Sequence, residues 1–92
     1  MKDIKELKDL EKQMKALANV RRLAILRYLK KHREASVGDI AGEIRLSFKS
    51  TSRHLSVLFA AVVIEREQRS VMMFYSIAGT LHPATKHVIA MV

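Results

Sequence analysis

Hydrophobic positions recur every three or four residues along most of this chain, and that period changes once, after residue 61. Ile4, Leu7, Leu10, Met14 and Leu17 make the first stripe, which is narrow and nearly heptad-like. The spacing predicts a helix over 3–18 whose apolar seam suits a second helix. Asp3 and Glu6 have capping-box spacing at its start. Asn19 is placed to cap a second helix, where Val20, Leu23, Ile25, Leu26 and Leu29 form a wide apolar face. The basic run at 30–33 then suits that helix's C-terminus. Ser36 with Asp39 opens a short third helix carrying Ile40, Ala41 and Ile44. Only Arg45 and Leu46 separate it from a fourth helix over 47–61, capped by Ser47.

Helix interiors disfavour Ser and Thr, whose hydroxyls compete for backbone hydrogen bonds. The fourth helix, in LSFKSTSRHLSVL, is nevertheless rich in them. Its geometry resolves the conflict. Phe48, Thr51, Leu55, Leu58 and Val62 follow 3-4-3-4 spacing, which is one buried face. Lys49, Ser50, Arg53 and Ser56 lie opposite, with Ser52 and His54 on the flanks. Phe48 is expected to be the first core residue of this helix; contact with a thymine methyl is its other reading.

VVIEREQRSVMMFYSI reads as two β-branched or aromatic runs, a hairpin over 63–77 turning at Glu67, Gln68, Arg69 and Ser70 without the Gly or Asn that tight turns prefer. Gly79 breaks the chain. Thr80 to Val92 reads as a last helix, with Pro83 in its first turn and Leu81, Ala84, Val88, Ile89 and Val92 as its stripe. The expected fold is mainly α with a small β-hairpin, in the order α-α-α-α-β-β-α, forming a single domain over 1–92. The short link between helices three and four, followed by a hairpin, is the winged helix-turn-helix arrangement.

A chain of 92 residues has room for one modest core, so an oligomer interface would add stability. It contains no cysteine, which excludes disulfides and thiolate metal sites. The charged segment MKDIKELKDLEKQMK is not a signal peptide, and no apolar run approaches the roughly 20 residues needed to span a bilayer. The expectation is a cytoplasmic protein with no membrane partner. Net charge is +8, and its distribution matters more than its total. Residues 1–15 carry five basic and four acidic groups, residues 16–46 seven and three, and residues 47–64 carry Lys49 and Arg53 with no acid. A basic excess concentrated mid-chain attracts polyanions, of which nucleic acid is the commonest.

Four stretches together resemble the ArsR family of dimeric winged-helix repressors: KALANVRRLAILRYL at 15–29, SVGDIA at 36–41, LSFKSTSRHLSVL at 46–58 and MMFYSI at 72–77. The resemblance implies DNA contacts from Ser47, Lys49, Ser50, Ser52, Arg53 and His54 on the recognition helix, and from Arg66 and Arg69 on the wing. It also implies that the first and last helices, 3–18 and 80–92, pair across a two-fold axis through Ile4, Leu7, Leu10, Met14, Leu17, Leu81, Val88 and Val92. Such a homodimer would read a palindromic operator in double-stranded DNA. Three departures stand out. Where many members carry a metal-binding Cys-x-Cys pair, this chain has Ser36 and Gly38. The last helix offers His82 and His87 but no carboxylate, so no metal or other cofactor is expected and no effector is legible. Val62 stands where the family commonly has the Gly that ends the recognition helix; a β-branched residue is strained in a left-handed cap, so the helix is expected to end differently.

Catalysis finds no support: there is no glycine-rich phosphate loop, no Cys nucleophile and no readable pairing of His with a carboxylate. The stronger rival to DNA binding is a winged-helix protein-interaction module that docks through FAAVVI at 59–64, with Glu65 and Glu67 repelling phosphates. Lys49, Ser50 and Arg53 decide against it, because they carry phosphate and base-edge chemistry rather than apolar anchors. The chain is therefore expected to be a DNA-binding transcriptional regulator, a dimeric repressor, and not an enzyme.

Overall fold

A computed structural model describes residues 3–92; Met1 and Lys2 lie outside the described residues. The elements run α1 (Ile4–Leu17), α2 (Val20–His32), β1 (Glu34–Ser36), α3 (Val37–Ile44), α4 (Phe48–Ala60), β2 (Ile64–Arg69), β3 (Met72–Ile77) and α5 (Pro83–Met91). Each of the first four helices begins at a residue whose side chain accepts a first-turn N–H. Asp3 takes that of Glu6 at 2.9 Å, Asn19 those of Arg21 and Arg22, Ser36 that of Asp39 at 3.2 Å, and Ser47 that of Ser50 at 3.1 Å. These caps satisfy donors that a helix leaves open, and they fix where each helix starts.

The hairpin expected from sequence is part of a three-stranded antiparallel sheet in the order β1-β3-β2. Ala35 of β1 pairs with Tyr75 of β3, which in turn pairs with Arg66 of β2. Three residues are too few to show a strand period, so β1 leaves no signal of its own. The hairpin turn is also displaced from its expected place. Arg69 pairs with Met72, leaving Ser70 and Val71 as a two-residue turn in which Ser70 has φ 57°. A positive φ at the first turn residue matches a type II′ turn, made here without glycine.

Val62 corrects a second expectation. It does adopt the left-handed conformation, with φ 61°. The Val62 N–H donates to Phe59 O and the Val63 N–H to Leu58 O, both at 3.0 Å, which is a complete Schellman closure of α4. Val63 and Leu58 are both fully buried, so the hydrophobic contact that accompanies this motif outweighs the strain at Val62.

One core joins the elements. Ile25, Leu26 and Leu29 of α2, Ile40 of α3, Leu55 and Leu58 of α4, Val63 just before β2 and Ile64 at its start are at most 1% exposed. Burying each side chain of this size contributes about 1.5–3 kcal/mol. Thr51 shares the α4 core face at 0% exposure; of the two ends of the expected stripe, Val62 is 61% exposed and Phe48 64%. Phe48 occupies the first turn, where α4 overhangs its neighbours, and a spacing rule cannot register where the packing partners stop. α5 starts later than expected, at Pro83, because His82 caps it with Nδ1 accepting the Ala84 N–H at 3.0 Å.

Candidate nucleic-acid interface

α3 ends at Arg45, whose left-handed conformation (φ 54°) reverses the chain into Leu46 and Ser47. This turn sets α4 across α3 and leaves one side of α4 in solvent. On that side Lys49 and Arg53, one helical turn apart, are exposed, and Ser50 and Ser52 are half-buried. Neither Lys49 nor Arg53 has an ion-pair or hydrogen-bond partner among the described residues. Ser47 accepts through its oxygen from Ser50, which leaves its hydroxyl proton to donate outward. Hydroxyls, an ammonium and a guanidinium therefore lie beside a helix N-terminus, a combination suited to phosphates and base edges.

His54 is placed differently from the rest. It is half-buried, and its Nδ1 lies 3.2 Å from Nη1 of Arg22. Arginine has no acceptor, so Nδ1 must accept and the ring proton resides on Nε2. Burial, then the charges of Arg22 and Arg21, holds the imidazole pKa below its usual value, so a neutral ring is favoured. Nε2–H remains as the donor that His54 can offer a ligand.

Arg22 is a positioning residue that patterning gives no reason to single out. Its Nε donates to Ala16 O at 2.6 Å and its Nη2 to Lys15 O at 3.3 Å, closing the C-terminal end of α1. Through His54 the same guanidinium reaches α4. Arg21 makes a similar tie to α3, donating to Ile44 O at 3.1 Å. Gln13 completes the frame. It donates to Ala61 O at 3.2 Å and accepts from the fully buried Thr85 hydroxyl of α5 at 2.6 Å.

The two wing arginines have different surroundings. Arg66 is exposed and lies with Cζ 4.0 Å above the Phe59 ring, a cation–π contact that leaves its charge open to solvent. Arg69 is held by carboxylates: Nη1 and Nη2 reach Glu34 Oε1 and Oε2 at 2.6 and 2.8 Å, and Nε donates to Glu67 at 2.8 Å. The Arg69 hydrogen bonds hold the Glu34 carboxyl below its usual range. One cation against two carboxylates leaves this cluster at −1, so Arg69 is ion-paired within the chain. Glu65, on the same strand, accepts the Gly79 N–H at 3.1 Å.

The residues expected at a dimer seam divide. Ile4 and Leu7 are 68% and 47% exposed, and Leu10 is half-buried. Leu17, at 5%, belongs to the core of its own chain, and Met14, Leu81, Val88 and Val92 pack partly against that core. Among the described residues there is no group of three His, Cys, Asp or Glu side chains able to hold a metal ion. His82 is committed as a helix cap, and His87 is exposed. No helix among the described residues is long and apolar enough to cross a membrane.

Comparison with known proteins agrees with this architecture. Residues 19–64, from the cap of α2 to the first residue of β2, match the family described as bacterial regulatory protein, arsR family. The transcriptional activator HlyU of Vibrio cholerae is 34% identical over 67 residues, a match covering 73% of this chain and 61% of HlyU. Among solved structures, the transcriptional repressor PagR of Bacillus anthracis superposes with a TM-score of 0.80 at 26% identity, covering 97% of this chain and 98% of that one. The homodimeric winged helix-turn-helix DNA-binding domain Mb0332 of Mycobacterium bovis gives 0.82 at 29% identity, covering 99% and 82%. With its fold, the short turn into α4 and more than half of its helical scaffold inside the matched segment, the chain belongs to the arsR family of bacterial regulatory proteins.

Proposed function

We propose that this protein is a sequence-specific regulator of transcription that binds double-stranded DNA as a symmetric dimer, with α4 in the major groove. The carrying observation is the solvent side of α4, where Lys49 and Arg53 stand without partners between hydroxyls and no acid occurs from 47 to 64. Lys49 reaches a phosphate. Arg53, Ser50 and Ser52 read base edges, Ser47 and His54 donate to the backbone, and Arg66 supplies the wing contact. A DNA partner places the protein in the cytoplasm.

Dimer formation rests on the exposed Ile4 and Leu7, and on a concavity of about 350 Å³ beside them that includes Leu10 and Leu81. Two copies related by a two-fold axis would read a palindrome with half-sites about one helical turn apart. The protein represses by occupying its operator, as PagR is named a repressor; HlyU, named an activator, supports the opposite sign for the same contact. A protein-interaction module is the second reading, favoured by Val57 and Val62 at 43% and 61% exposure beside Phe59.

The test is fluorescence anisotropy with duplex DNA across a salt series, followed by operator selection. Log affinity should fall linearly with log salt. Arg53→Ala should cost about 1–3 kcal/mol on the selected site and relax one base position, and Lys49→Ala should reduce the salt slope by about one. Negligible binding at low salt would overturn the reading in favour of the interaction module.

A further inference from the structure

A groove of about 700 Å³ runs between the exposed face of α2 and the C-terminal end of α3, on a surface that the DNA reading does not use. Its rim carries Arg21, Arg27, Lys31 and Arg45 against a single acid, Glu43, a local excess of three positive charges. Arg21 is tied to Ile44 O. Arg27, Lys31 and Arg45 are exposed, with no hydrogen-bond or ion-pair partner among the described residues. The rest of the lining is apolar. Val20 is 77% exposed in the first turn of α2, Ala24 and Tyr28 continue the stripe along that helix, and Ile44 closes the far wall.

Cations alone would fit a phosphate backbone, but a backbone has no use for apolar side chains lining a concavity. The volume falls in the range of small-molecule sites, and the lining offers apolar contact beside an unusual share of charged groups, which suits a charged ligand. We propose that this groove binds a small organic anion, an aryl or branched-alkyl acid, with its apolar body on Val20, Ala24 and Tyr28 and its anionic group between Arg27, Lys31 and Arg45. Helix α2 presents the three-to-four residue repeat 20, 24, 27, 28 and 31 to the ligand. None of the dimer-seam positions lines the groove.

The site is placed to regulate α4. Arg45 lies two residues before the Ser47 cap, and the charge of Arg21 already acts on His54. An anion held there neutralises charge beside the ridge and lowers its attraction for phosphates. Binding itself is independent of whether α4 binds DNA.

The experiment titrates the protein with 1-anilinonaphthalene-8-sulfonate, an aryl anion, by fluorescence and by ¹H–¹⁵N correlation spectra. Saturable binding with shifts centred on the amides of Val20, Ala24 and Ile44 is expected, and the double variant Arg27→Gln, Lys31→Gln should bind about tenfold more weakly. Both side chains are exposed, so the variant should keep the wild-type spectrum elsewhere, and Arg27→Lys should retain most of the affinity. Shifts centred on Phe59 and Val62, or affinity unchanged in the double variant, would overturn the proposal. So would unmoved groove amides together with a DNA salt slope reduced by about two in the same variant, which would make the groove a phosphate track.

Discussion

Arg22 donates through Nη1 to Nδ1 of His54 across 3.2 Å, tying the first turn of α2 to the middle of the helix that carries the basic ridge. One guanidinium thereby sets the tautomer of one imidazole and closes the end of α1. The ring is held neutral by burial and by two arginines, so protonating it works against the fold.

His54 should therefore titrate with a midpoint below about 6.5 by NMR. Because the folded pKa is depressed, the stability it contributes is present above the unfolded pKa and is lost as pH falls through the folded value. Urea unfolding between pH 7 and 5 should show this loss in the wild type and a flatter profile in His54→Gln. A midpoint above the unfolded value would refute the depression by burial and by the two arginines.

Glu34→Gln should release Arg69. With one carboxylate gone, the cluster of Glu34, Glu67 and Arg69 becomes neutral, and the guanidinium can turn to a phosphate. The log–log salt slope of DNA binding should steepen by up to about one. An unchanged slope would mean that this edge of the wing lies away from DNA.

Ile4→Asp with Leu7→Asp should dissociate the proposed dimer, since both side chains are exposed in the single chain and their replacement leaves its core intact. Light scattering should read one chain mass, with the helical content retained. A mass still twice that of the chain would place the seam elsewhere. Met14 and Leu17 are poor choices for this test because they pack within the chain itself.

Val62→Gly should stabilise the protein by about 1 kcal/mol, because glycine makes the same closing turn without the Cβ clash. Thermal unfolding should shift upward by about 4–8 °C. A fall in stability would show that the Val62 side chain contributes packing that its exposure conceals.

Thr51→Val should also stabilise, by about 1 kcal/mol, because the Thr51 hydroxyl is buried without a partner and valine keeps the shape. DNA affinity should not change, since the residue faces the core. Reduced affinity at unchanged stability would give that hydroxyl a role in positioning α4.

The sequence by itself determined most of the scaffold, because its signals are local. Asp3, Asn19, Ser36 and Ser47 cap within three residues of their own position, and a 3.6-residue stripe needs only its own helix to be read. The separation of α4 into a core face and a basic ridge was legible for the same reason. Tertiary structure alone decided what depends on distant partners. β1 exists only because β3 lies beside it, and Arg69 is neutralised by Glu34 from the far edge of the sheet. Leu17 and Phe48 exchange their expected environments because packing neighbours, not spacing, fix where a buried stripe begins and ends. Val62 holds a strained conformation because the burial of Val63 and Leu58 is worth more than the strain. The groove over α2 is likewise tertiary: its cations come from α2 and from the turn after α3, and only the fold brings that turn to the rim.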